Sequence, residues 1–448
     1  MFSIFPTTKV HIPNQEFDYI IVGGGICGLA VENRLSKLSN IIVAIIEASG
    51  EVENNPNVTV IENFLKAIGT QIDWQYLILY ISGKALGGSS TIMKGTNYVR
   101  AEQAQIDSWE TIGNQGWNWE SLFPYYKKSE HFDAPTTAQF AARATFLTST
   151  FERDANVRED AARVYYYPIQ NRSNLRVFLN TTDRSNSYLD ARKDVIVSAA
   201  SLRSPAVLEL SGIGNPLYGF PFLFKRRENL QDQPNTALGV APNTTFNGTM
   251  EYVTYSSVSY FFGNMPHLDT DSLALQVSKA VNNSVSSSAL KTLFGIQYSL
   301  LSQGVPDAET AIDTTIQYDS GPSAVLSSAS FVLLPFSRWN VHIGFPGPLT
   351  YPILNPNYFL AEFDLDVQIG TQPIGNARNE IYSGFAPAPA PATNQQWGEC
   401  IKSAFTANYH PPGTTSMMPK ESGGVVDNRL KVYGAANVLV VDASIFSF

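Results

Sequence analysis

One stretch limits the possible folds of this chain more than any other. It is FDYIIVGGGICGLAVENRLSKLSNIIVAIIEASG, Phe17 to Gly50. The apolar run Tyr19–Val22 is short enough for a strand buried on both faces. Gly23, Gly25 and Gly28 follow in G-x-G-x-x-G spacing. The first glycine allows a tight turn, the second a close approach of backbone to a pyrophosphate, and the third close packing of helix on strand. The free N–H groups of the following helix N-terminus suit phosphate. A second apolar run, Ile41–Ile46, ends in Glu47, about 20 residues further on, where an acid binds the ribose hydroxyls and disfavours a 2′-phosphate. A glycine-rich βα turn of another doubly wound domain is the competing reading. The strand, the helix and the acid together favour an adenine-dinucleotide site. The unit alone does not choose between FAD and NAD.

A chain of 448 residues is too long for one ordinary core, so two domains are expected. Apolar residues reach 44% and charged ones 15%, as in a globular protein with a large core. The net charge of −9 argues against nucleic acid or an anionic membrane surface as partner. No apolar stretch is long enough for a membrane span. The N-terminal MFSIFPTTKVHIPN lacks the pattern of a signal peptide. Six N-x-S/T sequons stand at Asn57, Asn171, Asn180, Asn243, Asn247 and Asn282. The two cysteines, Cys27 and Cys400, define neither a disulfide framework nor a metal site.

A second glycine-rich element, GKALGGSSTIMKGTNYVR, spans Gly83 to Arg100. Gly87, Gly88, Ser89 and Ser90 read as a loop entering a helix, which can offer N–H groups and hydroxyls to a phosphate or a ring edge. An ordinary helix cap is the alternative. Asp194–Ala199 reads as a buried strand and Ser204–Leu210 as a helix closed by Gly212. Residues 236–350, rich in Thr, Ser, Tyr and Val, favour an antiparallel sheet half open to a cavity. APAPAPA, Ala386 to Ala392, reads as an extended linker. Residues 394–408 read as a helix and Asn437–Val441 as a buried strand that Asp442 caps.

These blocks resemble the glucose-methanol-choline (GMC) oxidoreductase family, and Ala101 to Glu130 is similar to its glucose-oxidase-like branch. GKALGGSS matches the first family signature. SAASLRSPAVLELSGIG, Ser198 to Gly214, matches the second, with Ala200 where the family usually has Gly. NLQDQP, Asn229 to Pro234, fits, and so does the block Asn408 to Ile445. The resemblance implies an α/β (overall α+β) protein. A Rossmann-like FAD-binding domain with a parallel sheet would take residues 1–134, 185–235 and 405–448. A substrate-binding domain on an antiparallel sheet would take 135–184 and 236–404. FAD would be held by Gly23, Gly25, Gly28, Glu47, Gly87, Gly88, Ser89, Asn97, Asp442 and Ala443.

Of the five histidines, His410 stands out in NYHPPGTTSMMP, between residues that stiffen the backbone. Without the family, a histidine packed beside Tyr409 is the simpler reading. With it, His410 matches the catalytic histidine. Neutral imidazole can take a hydroxyl proton while the flavin N5 takes the hydride. The imidazolium can then steady a superoxide-like charge if dioxygen is the acceptor. Asn408 is a candidate for binding substrate, or a turn-forming residue. The expected reaction is oxidation of a CH–OH group of an alcohol or sugar, with dioxygen or quinone as acceptor. The sequons and the resemblance point to a secreted protein.

The match has departures. Met93 stands where the family has Asn, and Asn97 is displaced by one position. Four regions look abridged: Glu51–Ser82, Ala134–Asp160, Thr181–Asp194 and Asn215–Arg227. Phe448 ends the sequence short of the family's second catalytic residue. The alternative expectation is therefore a shortened relative that binds FAD with impaired or no turnover. An NAD-dependent dehydrogenase rests on the opening motif alone.

Overall fold

A computed structural model describes residues 16–60, 63–76, 80–93, 99–131, 150–152, 157–181, 189–214, 222–223, 229–240, 251–283, 285–313, 326–344, 347, 350–371 and 393–448. Its first layer is a parallel sheet of five strands. In spatial order these are Val438–Val440, Ala191–Val197, Phe17–Val22, Val43–Ile46 and Leu175–Phe178. The central strand is shielded on both faces, which is why its sequence reads as a continuous apolar run rather than an alternation. Its register sets Val22 beside Ile46 and Val197, so the ends of three strands finish level under the glycine turn.

One face of this sheet packs on helix Ile26–Leu35. Ile21, Leu29, Val43, Ile45 and Ile196 form a buried cluster there with Leu86, Ala162 and Tyr166. Leu175–Phe178 is the edge strand of this sheet, and the turn at 161–166 packs on the same helix. This corrects the expected division, which placed 135–184 with the substrate-binding domain. The run LRVF is too short to reveal its partner from sequence.

The second layer is an antiparallel sheet in the order Glu251–Ser256, Ala308–Asp313, Leu326–Val332, Pro234–Val240 and Thr406–Ala407. Composition foretold strands here but not the helices between them. Thr270–Ala280 and Ser287–Ser302 start at Asp269 and Ser286, whose side chains cap the first turns. Leu290, Leu293, Phe294 and Leu301 pack these helices against Val332 and Phe336 in the largest buried cluster. The helix expected at Ser204–Leu210 begins earlier, at Ala200, and carries Pro205 inside it. The helix expected over 394–408 is Asn394–Ala404, closed by the two-residue strand Thr406–Ala407. Asn97, Asn243, Asn247 and APAPAPA lie outside the described residues.

The segment Asn229–Gln233 ties the layers together. Asn229 Nδ2 donates to Ser416 Oγ at 2.9 Å and to Ser447 O at 3.1 Å. Its Oδ1 accepts from Nε of the fully buried Arg338 at 2.8 Å. Gln231 Nε2 donates to Ser447 O at 3.0 Å. One short stretch thus joins the antiparallel layer to the C-terminal block.

Candidate active site

The turn after the central strand is shaped by backbone contact. Gly23 has φ +106°, and a Cβ on it would lie 2.4 Å from Ser198 O. A Cβ on Gly28 would lie 2.0 Å from Gly23 O, so helix and strand touch only because position 28 has no side chain. Gly25 is the N-cap of Ile26–Leu35, with no side-chain cap and no acid in the first turn. The N–H groups of that turn are thereby left for an anionic ligand.

The second glycine element lies directly on the first. Gly87 N–H donates to Gly24 O at 2.8 Å. A Cβ on Gly88 would come within 2.9 Å of Gly25 Cα. The segment Gly88–Thr91 forms a 3₁₀ turn, led by Gly87 at φ +106°. Ser89 Oγ accepts from Gly83 N–H at 3.1 Å, and Ser90 Oγ donates to Gly87 O at 2.6 Å. Beneath them the buried Arg158 donates to Val58 O at 2.8 Å and to Ser90 O at 3.3 Å, and also to Met93 O. Ile26 and Ser89 stay exposed beside this junction.

Glu47 is buried, and burial raises its carboxyl pKa against the opposing pull of its hydrogen bonds. Oε2 accepts Gly24 N–H at 2.6 Å and Oε1 accepts Ser49 N–H at 2.9 Å. Each oxygen keeps acceptor capacity for a ribose hydroxyl. The residues therefore fit a dinucleotide: an uncapped helix N-terminus, two glycine turns in contact, and an acid at the end of the second strand.

Asp442 sits at the other side of the turn. Oδ2 accepts from Ala200 N–H at 2.9 Å and from Ser204 Oγ at 2.5 Å, and Oδ1 accepts from Ser444 N–H at 2.9 Å. It caps the turn Ala443–Ile445, which follows the strand that it was expected to cap, and also fastens the start of the helix at Ala200. Ala200 has φ +67°, a backbone that costs an alanine roughly 1 kcal/mol and a glycine almost nothing. Glycine is the residue the family usually places there. Burial, with the Asp442 charge second, pushes the Cys27 thiol up to about 12, so this cysteine is inert packing at the helix start. Ala443 contributes backbone, its carbonyl accepting from Gly413 N–H at 3.4 Å.

His410 is exposed, on a turn where Tyr409 has φ +63°. Its Nδ1 lies 3.0 Å from Gln233 Oε1 and 3.1 Å from Asn408 Nδ2, while Asn408 Nδ2 donates to Gln233 Oε1 at 2.7 Å. With the ring proton on Nδ1, Gln233 accepts it and Nε2 carries the free lone pair. With the proton on Nε2, the Asn408 amide donates to Nδ1. Protein packed around the ring lowers the imidazole pKa, and the nearby Asp232 charge opposes that in part. The ring is thus neutral near pH 7, as a proton acceptor must be. Asp232 itself is buried and accepts the His410 backbone N–H at 2.9 Å.

Sequence reasoning missed Asp232, Gln233, Tyr80 and Tyr358. NLQDQP was visible as a family block, yet nothing in the spacing joins position 232 to 410. A second histidine, His342, is buried with Nδ1 2.9 Å from Glu209 Oε1.

The sequence matches the GMC oxidoreductase family models over residues 17–174 and 335–448. Glucose oxidase-like protein fsoC of Humicola fuscoatra is 33% identical over 562 aligned positions, covering 96% of this chain and 91% of that protein. Glucose oxidase 2 of Penicillium expansum is 28% identical, covering 98% and 90%. Both alignments are longer than the chain's 448 residues, so these relatives carry internal segments that it lacks. A FAD-dependent oxidoreductase from Chaetomium thermophilum shares the fold at TM-score 0.80 and 20% identity, over 97% of this chain and 95% of that one. A fungal aryl-alcohol oxidase does so at TM-score 0.75 and 18% identity, over 97% and 95%. The two sheets and the matched family blocks find their common explanation here: the chain belongs to the GMC oxidoreductase family, and its cofactor is FAD.

Proposed function

We propose that this protein oxidises a CH–OH group of a small alcohol or sugar, with His410 as the base. The observation that carries this reading is the state of His410. It is exposed, its pKa is lowered, and amides and a buried carboxylate fix it on a strained turn. The uncapped turn at Gly25–Gly28 and the facing turn at Gly87–Ser89 hold the pyrophosphate and the ring system, and Glu47 binds the adenosine ribose. FAD, when bound, supplies the two-electron acceptor. Nε2 of His410 takes the hydroxyl proton as the C–H bond is broken, and Gln233 and Asn408 keep the ring in place. Asn408 gives its amide to this network, which leaves it a secondary role toward substrate. Dioxygen is the favoured final acceptor, on the oxidase names of the relatives. Sequons on the exposed residues Asn171, Asn180 and Asn282 support a secreted glycoprotein.

The test is turnover. Protein loaded with FAD is mixed with a panel of primary alcohols and aldoses, and peroxide and dye reduction are followed. Oxidation of at least one class, lost in His410→Ala, supports the reading. The internal segments absent relative to the oxidases favour a second reading, a FAD-binding relative without turnover. Bound flavin that no member of the panel can bleach anaerobically would favour it.

A further inference from the structure

Asp232 lies behind His410 in a buried cluster that the proton transfer itself does not use. It is 2% exposed. Oδ1 accepts the His410 N–H at 2.9 Å, and Oδ2 accepts the hydroxyls of Tyr80 at 3.0 Å and Tyr358 at 2.9 Å. Neither phenol is free to swing away. The Tyr80 ring meets Tyr409 edge-on at 5.5 Å. The Tyr358 ring lies 4.0 Å from Trp339 and 4.9 Å from Phe405. Burial raises the Asp232 pKa, and the three donors aimed at its oxygens oppose that. Asp232 is the charged group that acts on His410, with the neutral amides of Gln233 and Asn408 against the ring, while Tyr80, Tyr358 and Tyr409 surround the carboxylate.

We propose that Asp232 is a positioning residue that acts through His410. Its carboxylate locks the Tyr409–His410 turn and places a negative charge where the imidazolium forms. Tyr80 and Tyr358 hold that carboxylate without neutralising it. Because Tyr80 precedes the glycine element at Gly83–Thr91, the same hydrogen bond ties the base to the flavin-side loop. This rests on His410 being the base. Its test is separate from turnover.

The measurement is an NMR titration of the His410 imidazole in the full chain saturated with FAD, the signal being assigned by its loss in His410→Ala. Asp232→Asn keeps the shape and removes the charge. It is expected to lower the His410 pKa by about one unit while the flavin spectrum is unchanged. Asp232→Glu restores the charge and is expected to bring most of the shift back. Should Asp232→Asn not fold, Tyr358→Phe serves: with one donor fewer, Asp232 is easier to protonate, and the His410 pKa is expected to fall. A His410 pKa unchanged in the folded Asp232→Asn protein, or in Tyr358→Phe where that variant is needed, overturns the proposal and leaves Asp232 a structural anchor only. A chain that binds no flavin refutes the oxidation reading, and the same titration run on the flavin-free chain still reports on Asp232.

Discussion

The glycine-turn end and the His410 corner are built from different materials. At the glycine-turn end, backbone meets backbone: Gly28 on Gly23, Gly88 on Gly25, Gly87 N–H on Gly24 O. Side chains are excluded there, and specificity comes from where glycine stands. At the His410 corner, side chains do the holding. Asp232, Gln233 and Asn408 hold one histidine, and Tyr80 and Tyr358 hold Asp232 in turn, from segments mostly far apart in the chain. The first kind of site tolerates almost no added atom. The second tolerates added atoms but not lost functional groups.

The sharpest break in this contrast is His410→Ala. It is expected to lower turnover by about 10²–10⁴-fold while the flavin spectrum and melting temperature stay near wild type. In the unaltered protein kcat/KM should drop as pH is lowered through a group titrating below the ordinary histidine value of 6.5, because protein packed around the imidazole favours the neutral ring. A limb above that value would contradict the environment described for His410.

Adding one carbon tests the other end. Gly28→Ala puts a Cβ 2.0 Å from Gly23 O and is expected to destabilise the protein by about 3 kcal/mol, the upper end of overpacking costs, with loss of flavin. Gly25→Ala has its nearest contact at 3.9 Å, so stability should hold while flavin affinity drops roughly tenfold or more. Equal melting temperatures for the two variants would refute the backbone-contact account.

Glu32 breaks the pattern from within the glycine-turn end. It is fully buried on the helix Ile26–Leu35, and neither carboxylate oxygen has a hydrogen-bond partner. Burial pushes its pKa up to about 8 from 4.5, with Arg172 opposing. The folded state therefore binds a proton that the unfolded state has released. The contribution is complete below pH 4.5 and is lost as pH rises through about 8. Stability should fall across that window by at most about 1.4 kcal/mol per pH unit from this group, and Glu32→Gln should flatten the slope. Thermal melts at several pH values read this directly.

The smallest effect is expected at Ala200→Gly. Relief of the φ +67° strain exceeds the entropy glycine adds, giving about 0.5 kcal/mol of stabilisation in a denaturant melt. An unstable variant would show that the alanine methyl packs usefully.

The same contrast explains what could be read from the sequence. Gly23, Gly25, Gly28 and Glu47 lie within one βαβ unit, so local spacing carries the fold there and the expectation of a dinucleotide. His410 was found through its proline-rich surroundings and the family block, not through spacing. Asp232, Tyr80 and Tyr358 carry no local signal, because their convergence depends on folding the antiparallel layer against the C-terminal block. The helices Thr270–Ala280 and Ser287–Ser302 were hidden by strand-favouring composition around them, although Asp269 and Ser286 announce their starts.

The central claim is that one chain joins a flavin site to a working base. Anaerobic mixing of FAD-loaded protein with the alcohol and aldose panel, followed by flavin absorbance, tests it most directly. The account predicts bleaching of the flavin by at least one alcohol or sugar, slowed by about a hundredfold or more in His410→Ala with flavin retained. No flavin band after loading, or bleaching as fast in His410→Ala as in the unaltered protein, would contradict it.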